Sequence, residues 1–124
     1  MKFDWSNYLV LARALVGQES KPAEREAQFR AAVSRAYYAA FCSARNYLRD
    51  RDPDVPDSGE AHIYVQNAFE QDDAENRRRI GNVLRRLRIS RRKADYDDQF
   101  PGVEHECTVS IRRADQILGW LRQL

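Results

Sequence analysis

Glycine and proline are scarce in this chain, five and four among 124 residues. That scarcity argues against a disordered or loop-dominated protein and for a helix-rich globular one. There are two cysteines, Cys42 and Cys107, far apart and inside helical patterns. They exclude a disulfide framework and read as small buried hydrophobes in a reducing compartment, the cytoplasm by default. The two histidines, His62 and His105, stand in no metal-ligand spacing. Glu104, His105, Glu106 and Cys107 are consecutive, and one helical turn cannot aim all four at one ion. No apolar run approaches the length of a membrane span. Asp4 stands where a signal peptide would be positive and Arg13 breaks the apolar stretch, so no leader is expected. A glycine-rich phosphate loop and a nucleophile elbow are missing too.

The most informative absence is local. Between Glu75 and Asp95 there is no acidic residue, while Arg77, Arg78, Arg79, Arg85, Arg86, Arg88, Arg91, Arg92 and Lys93 supply nine cations. The net charge is only +2, which leaves 12 basic against 19 acidic residues elsewhere, about −7. Gathering cations onto one segment of an otherwise acidic chain raises the odds of an anionic partner, nucleic acid first. The plainer alternative is a solvated helix whose arginines pair with acidic neighbours.

Apolar periodicity predicts five helices and no strand or internal repeat. The first runs from about Asp4, a candidate N-cap, to Val16, with Gly17 placed to end it in a left-handed conformation. Pro22 opens a long second helix to about Leu48. From Ala36 to Ala44 that helix is apolar nearly all round, so it is expected at the centre of a bundle, its alanines admitting close neighbours. Pro53 and Pro56 mark a loop, followed by a short helix over 59–69 with Ile63, Val65 and Phe69 turned inward. The basic helix spans about 74–94, with Asp72 or Asp73 as cap and Ile80, Val83, Leu84 and Leu87 as its apolar stripe. Continued, the stripe reaches Arg91 and Asp95, while Arg78, Arg85, Arg88 and Arg92 fall on a wet line. A last helix over 103–121 buries Cys107, Ala114, Ile117 and Leu118. The expected fold is all-α, one domain over 1–124: an antiparallel bundle of four long helices plus one short one.

Arg35 stands on the mostly buried second helix, where a guanidinium is costly unless paired. Asp95 is its best-placed partner, and an Arg35–Asp95 pair is expected to cost about 3–5 kcal/mol if one member is removed. Tyr37, Tyr38 and Tyr96 are expected in the core, with base stacking as the functional alternative.

Ser34-Arg35-Ala36-Tyr37-Tyr38-Ala39-Ala40-Phe41, then His62 opening a short helix, then Arg91-Arg92-Lys93-Ala94-Asp95-Tyr96, resemble the small prokaryotic HEPN domains. The likeness runs from about Phe29 to Asp98. It implies a bundle of four to five helices, often a homodimer, frequently working beside a small nucleotidyltransferase. Many members are RNA-cleaving toxins or defence effectors. The catalytic ones carry an arginine, four to six residues, then a histidine, which meet in a cleft at the dimer interface and cut RNA without metal. This chain departs from that pattern. No arginine precedes His62 or His105 at that spacing, and where a histidine would follow Arg91 there are Tyr96, Asp97 and Asp98.

The resulting expectation is a HEPN-like nucleotide- or RNA-associated module without catalysis, cofactor or metal. Its candidate groove is lined by Arg35, Arg88, Arg91, Arg92, Asp95 and Tyr96, and Ser34, Tyr37, Tyr38 and His62 form its structural motif. A ribonuclease toxin with a modified site and a pure protein–protein or dimerisation module are the alternatives. Arg91 and Tyr96 are expected in a cleft shared, or nearly shared, between two subunits.

Overall fold

The computed structural model describes residues 2–124 and is all-helical, with no strand among them. The helices are α1 (Asn7–Gly17), α2 (Pro22–Arg49), α3 (Ala61–Glu70), α4 (Glu75–Tyr96) and α5 (Val103–Arg122). Sequence periodicity located all five, with ends shifted by two or three residues at most. Pro22 sits in the first turn of α2, as its fixed φ favours.

The punctuation differs in two places. Asp4 does not cap α1; its Oδ1 accepts from Ser6 N at 3.0 Å and Ser6 Oγ at 2.6 Å, in a turn just before the helix. Gly17 is still helical, and the chain leaves α1 through Gln18 in an extended conformation. The left-handed glycine is Gly102 instead, at φ 74°, where it turns the chain into α5.

Helix α2 is the central element and packs on α1, α4 and α5. Its alanines Ala32, Ala36, Ala39, Ala40 and Ala44 are all fully buried. Side chains this small let backbones approach closely, which is why the alanine-rich stretch occupies the middle. Helix α4 runs antiparallel to both α2 and α5, so α2 and α5 point the same way. Tyr47 meets Arg77 while Ser34 meets Asp95 across α2 and α4, and Ser90 meets Glu106 while Arg79 meets Trp120 across α4 and α5. All five helices contribute to one buried cluster, with Ile80, Leu84, Leu87 and Ile117 among its largest members.

Helix α3 packs chiefly on α4. Val65 and Phe69 point inward as expected, but Ile63 is turned out and 44% exposed. With only ten residues α3 buries one narrow face, and Ile63 lies off the line set by Ala61, Val65 and Phe69. Arg30 of α2 secures the end of α4. Its Nη1 donates to the carbonyls of Ala94 (3.2 Å) and Asp97 (2.6 Å), two of the acceptors a helix C-terminus leaves unpaired.

Candidate functional site

The fold joins the two sequence motifs. Arg91, one turn beyond Leu87, lies against α2, its guanidinium 5.1 Å from the Tyr38 ring, 5.9 Å from Tyr37 and 5.6 Å from Tyr96. Arg35 reaches the same Tyr38 ring at 5.1 Å and the Tyr8 ring at 4.8 Å. Two guanidiniums over one phenol ring are tolerable because the ring's negative face draws both.

The expected Arg35–Asp95 ion pair does not form. Asp95 Oδ2 lies 2.8 Å from Arg91 Nε, four residues back on the same helix. The N–H points off the line, so this is an ion pair without a good hydrogen bond. Ser34 Oγ stands between the expected partners, donating to Asp95 Oδ2 at 3.2 Å and accepting from Arg35 Nη2 at 3.3 Å. The side chains of Arg91 and Asp95 are 16% and 27% exposed, so breaking the pair costs less than the fully buried case assumed from sequence.

Tyr38 and Tyr37 take the expected inner positions, Tyr37 fully buried. Tyr96 does not; it is 71% exposed at the last turn of α4. Arg88, assigned to the wet line, is half-buried beside α3, and its Nε has no partner. The wedge between α3 and α4 shields a position that one-helix geometry leaves in water.

His62 follows the opening residue of α3. Its ring stacks on Phe41 at 4.2 Å, and its Nδ1 shares a 2.6 Å hydrogen bond with Tyr37 Oη. Burial lowers the His62 pKa below 6.5, and the charges of Arg91, Arg88 and Arg45 push it the same way. Burial likewise raises the Tyr37 phenol well above its ordinary value. Both rings are therefore neutral at pH 7. Because the unfolded chain then binds a proton before the folded one, stability rises with pH through the window just below 6.5 and is lost as pH falls. Thermal unfolding should show a steeper drop in Tm from about pH 7 to about pH 5.5 for the wild type than for His62→Gln. Equal slopes would remove His62 as the buried titrating group.

A pocket of about 400 Å³ opens beside this cluster, between α1, α2 and the approach to α3. Arg35, Tyr38, Cys42, Arg45 and Arg49 line it from α2, at alternating steps of three and four residues that put them on one face. Trp5, Tyr8 and His62 line it too, with Arg35 over the Tyr8 ring and Arg45 over the Trp5 ring. Arg49 is answered by Asp57 at 3.1 Å. Arg35 and Arg45 are half-buried with no carboxylate partner among the described residues; Arg45 bonds Asn46 Oδ1 and lies 5.5 Å from the Trp5 ring. Burial raises the Cys42 thiol pKa, against the pull of Arg45, Arg49 and Arg35, so the pocket holds a thiol and no ready nucleophile. No metal-ligand cluster exists among the described residues. The arrangement is suited to holding an anion beside a planar group.

Arg45, Arg49, Trp5 and Tyr8 were missed from sequence. The spacing of Arg35, Tyr38, Cys42, Arg45 and Arg49 along α2 is the signal that could have found the two arginines, but sequence periodicity places Arg49 at the start of the following loop. The basic run of α4 divides. Arg85 pairs with Glu70 at 2.7 Å, Arg77 with Asp72 at 3.4 Å, and Arg78 bonds the Asp72 and Asp73 carbonyls. Arg79 covers Trp120 at 4.4 Å. Arg86, Arg92 and Lys93 have no partner among the described residues, and Arg92 lies apart from the pocket. Acidic neighbours thus answer Arg77, Arg85 and Arg91, while Arg86, Arg92 and Lys93 stay exposed without a carboxylate among the described residues.

The bundle joins the Ser34–Phe41 and Arg91–Tyr96 pieces around one arginine. The sequence model of the HEPN domain matches residues 18–124. The chain belongs to the HEPN family. No curated protein and no solved structure matches it. Within this HEPN chain the arginine-to-histidine spacing of the catalytic members is absent, yet Arg91 and His62 come from different helices to one cluster. No helix is long and apolar enough to cross a membrane.

Proposed function

We propose that this HEPN domain is a non-catalytic module that binds a nucleotide or RNA through phosphate. The observation that carries the reading is the pair of half-buried guanidiniums, Arg35 and Arg45, facing an aromatic-walled pocket with no carboxylate to answer them. A phosphate would supply that counter-charge, and the rings of Trp5 and Tyr8 offer a base a stacking surface. Such binding should weaken steeply with salt, log K falling by roughly 0.7 per neutralised phosphate per log unit of salt for a single strand. Replacing Arg35 and Arg45 together by Ala should lower RNA affinity at least about ten-fold and flatten that slope by about 1.4. Salt-independent binding, or none of RNA and nucleotides, would end the proposal. His62 also gives the sign of a pH effect: a bound phosphate raises its proton affinity, so binding should tighten as pH falls.

One observation favours a second reading, the modified ribonuclease. A neutral imidazole lies close enough to Arg91, Arg88 and Arg45 to feel their charge. A growth arrest on expression that Arg91→Ala or His62→Ala relieves would favour it over pure binding. The exposed Phe3, Val10 and Leu11 offer an apolar face for a homodimer or a nucleotidyltransferase partner, testable by light scattering. Two free, buried cysteines fit a cytoplasmic setting.

A further inference from the structure

The basic run of α4 has an acidic counterpart that the proposed function does not use. Between Arg51 and Arg77 stand eight carboxylates and no lysine or arginine. Arg49, Arg85 and Arg77 answer Asp57, Glu70 and Asp72, and Tyr64 Oη donates to Asp52 at 2.5 Å. Asp54, Glu60, Asp73 and Glu75 are exposed and have no cation partner among the described residues.

The helix inside this segment, α3, keeps an apolar outer face. A groove of about 520 Å³ lies along it. Pro56, Ile63, Tyr64 and Ala68 supply its apolar walls, and Glu60 and Gln71, the residues that flank α3, border it as well. Ile63 is 44% exposed there, and no cation lines the groove. Its shape is fixed before anything binds. Asp52 holds Tyr64 through one carboxylate oxygen and accepts from Asp54 N at 2.9 Å through the other. Pro53 and Pro56 stiffen the same loop. A preformed groove spares a ligand the cost of ordering it. It shares no lining residue with the pocket of Arg35 and Arg45.

We propose that this groove docks a basic amphipathic α-helix of a partner protein. The ten residues of α3 extend about 15 Å, room for three turns of a helix laid alongside. Apolar residues at i, i+3 or i+4, and i+7 of the partner rest on Ile63, Tyr64 and Ala68, and its lysines and arginines meet Glu60 and Asp54. Nucleic acid is repelled by this segment. A second copy of this chain fits poorly. Its cationic apolar surface around Ile89 and Lys93 is itself a recess of about 440 Å³ between α4 and α5, and a recess cannot enter a groove. The exposed Val10 and Leu11 of α1 have one cation beside them, Arg13, and Asp115 already pairs with it. The proposal does not depend on phosphate binding.

The test uses two helical peptides of about 14 residues with leucine at that spacing, one carrying lysine and the other glutamate at the remaining positions. Fluorescence anisotropy reads their binding to the full chain. The lysine peptide should bind at least about ten-fold more tightly than the glutamate peptide. Asp54→Lys and Glu60→Lys made together should weaken the lysine peptide at least about ten-fold, and so should Ile63→Ser. All three side chains are exposed, and circular dichroism checks that each variant folds. Arg35→Ala with Arg45→Ala should leave peptide binding unchanged, which separates this site from the proposed phosphate pocket. Peptides bound equally well, or a lysine peptide held alike by the wild type and the groove variants, would overturn the proposal. So would a wild type that binds neither. Self-association in light scattering that Ile63→Ser abolishes would overturn the foreign helix in favour of a second copy.

Discussion

Gly81→Ala should destabilise this protein by about 3 kcal/mol, the upper end of what overpacking costs. In an isolated helix the same change stabilises by up to about 1 kcal/mol, so the sign itself is the test. A Cβ at Gly81 would lie 2.4 Å from Glu70 N and 2.9 Å from Glu70 Cα. These are backbone atoms, and no rotamer change moves them aside. The Arg85–Glu70 pair, with both bonds at 2.7 Å, holds the two helices together at that crossing. The added methyl must therefore push α3 away from α4. A fall in Tm of roughly 10 °C is expected by calorimetry. Displacing α3 also carries His62 away from Tyr37, so any binding that depends on His62 should weaken in step. An alanine variant as stable as the wild type would mean that α3 rides loosely on α4.

Gln66→Leu should have the opposite effect, stabilising by about 1–3 kcal/mol. Gln66 is 1% exposed, and neither its Nε2 nor its Oε1 has a partner among the described residues. Leucine matches it closely in volume and leaves no polar atom unpaired. The residue lies one turn along α3 from His62, on the same face. Denaturant melts read the change directly through the midpoint at unchanged m-value. A loss of stability would show that the amide is satisfied in solution, by a buried water or a ligand.

Much of the scaffold was readable because it depends on local pattern. Helical spacing of apolar residues located five helices, and the two prolines of the 49–58 loop separated α2 from α3. The candidate site was half readable. Arg91, Tyr38 and Arg35 do gather, since Arg91 continues the apolar stripe of α4 toward α2. The partner of Asp95 was misassigned because two cations compete for one carboxylate. Arg91 is already one turn away on the same helix, so its pairing needs no further ordering of the chain. Tyr96 was misplaced because the helix end projects past the bundle, where nothing remains to cover it.

Composition and periodicity alone determined that this chain is an all-helical bundle, and its motifs carried the HEPN kinship. Both follow from interactions between residues near one another in sequence. Which arginines remain free was decided only in three dimensions. A guanidinium is neutralised by whatever carboxylate or carbonyl the packing brings within a few ångströms, and for the first half of α4 those partners come from α3 and the preceding turn. Packing answered Arg77, Arg78 and Arg85 and left Arg35, Arg45, Arg86 and Lys93 without a carboxylate.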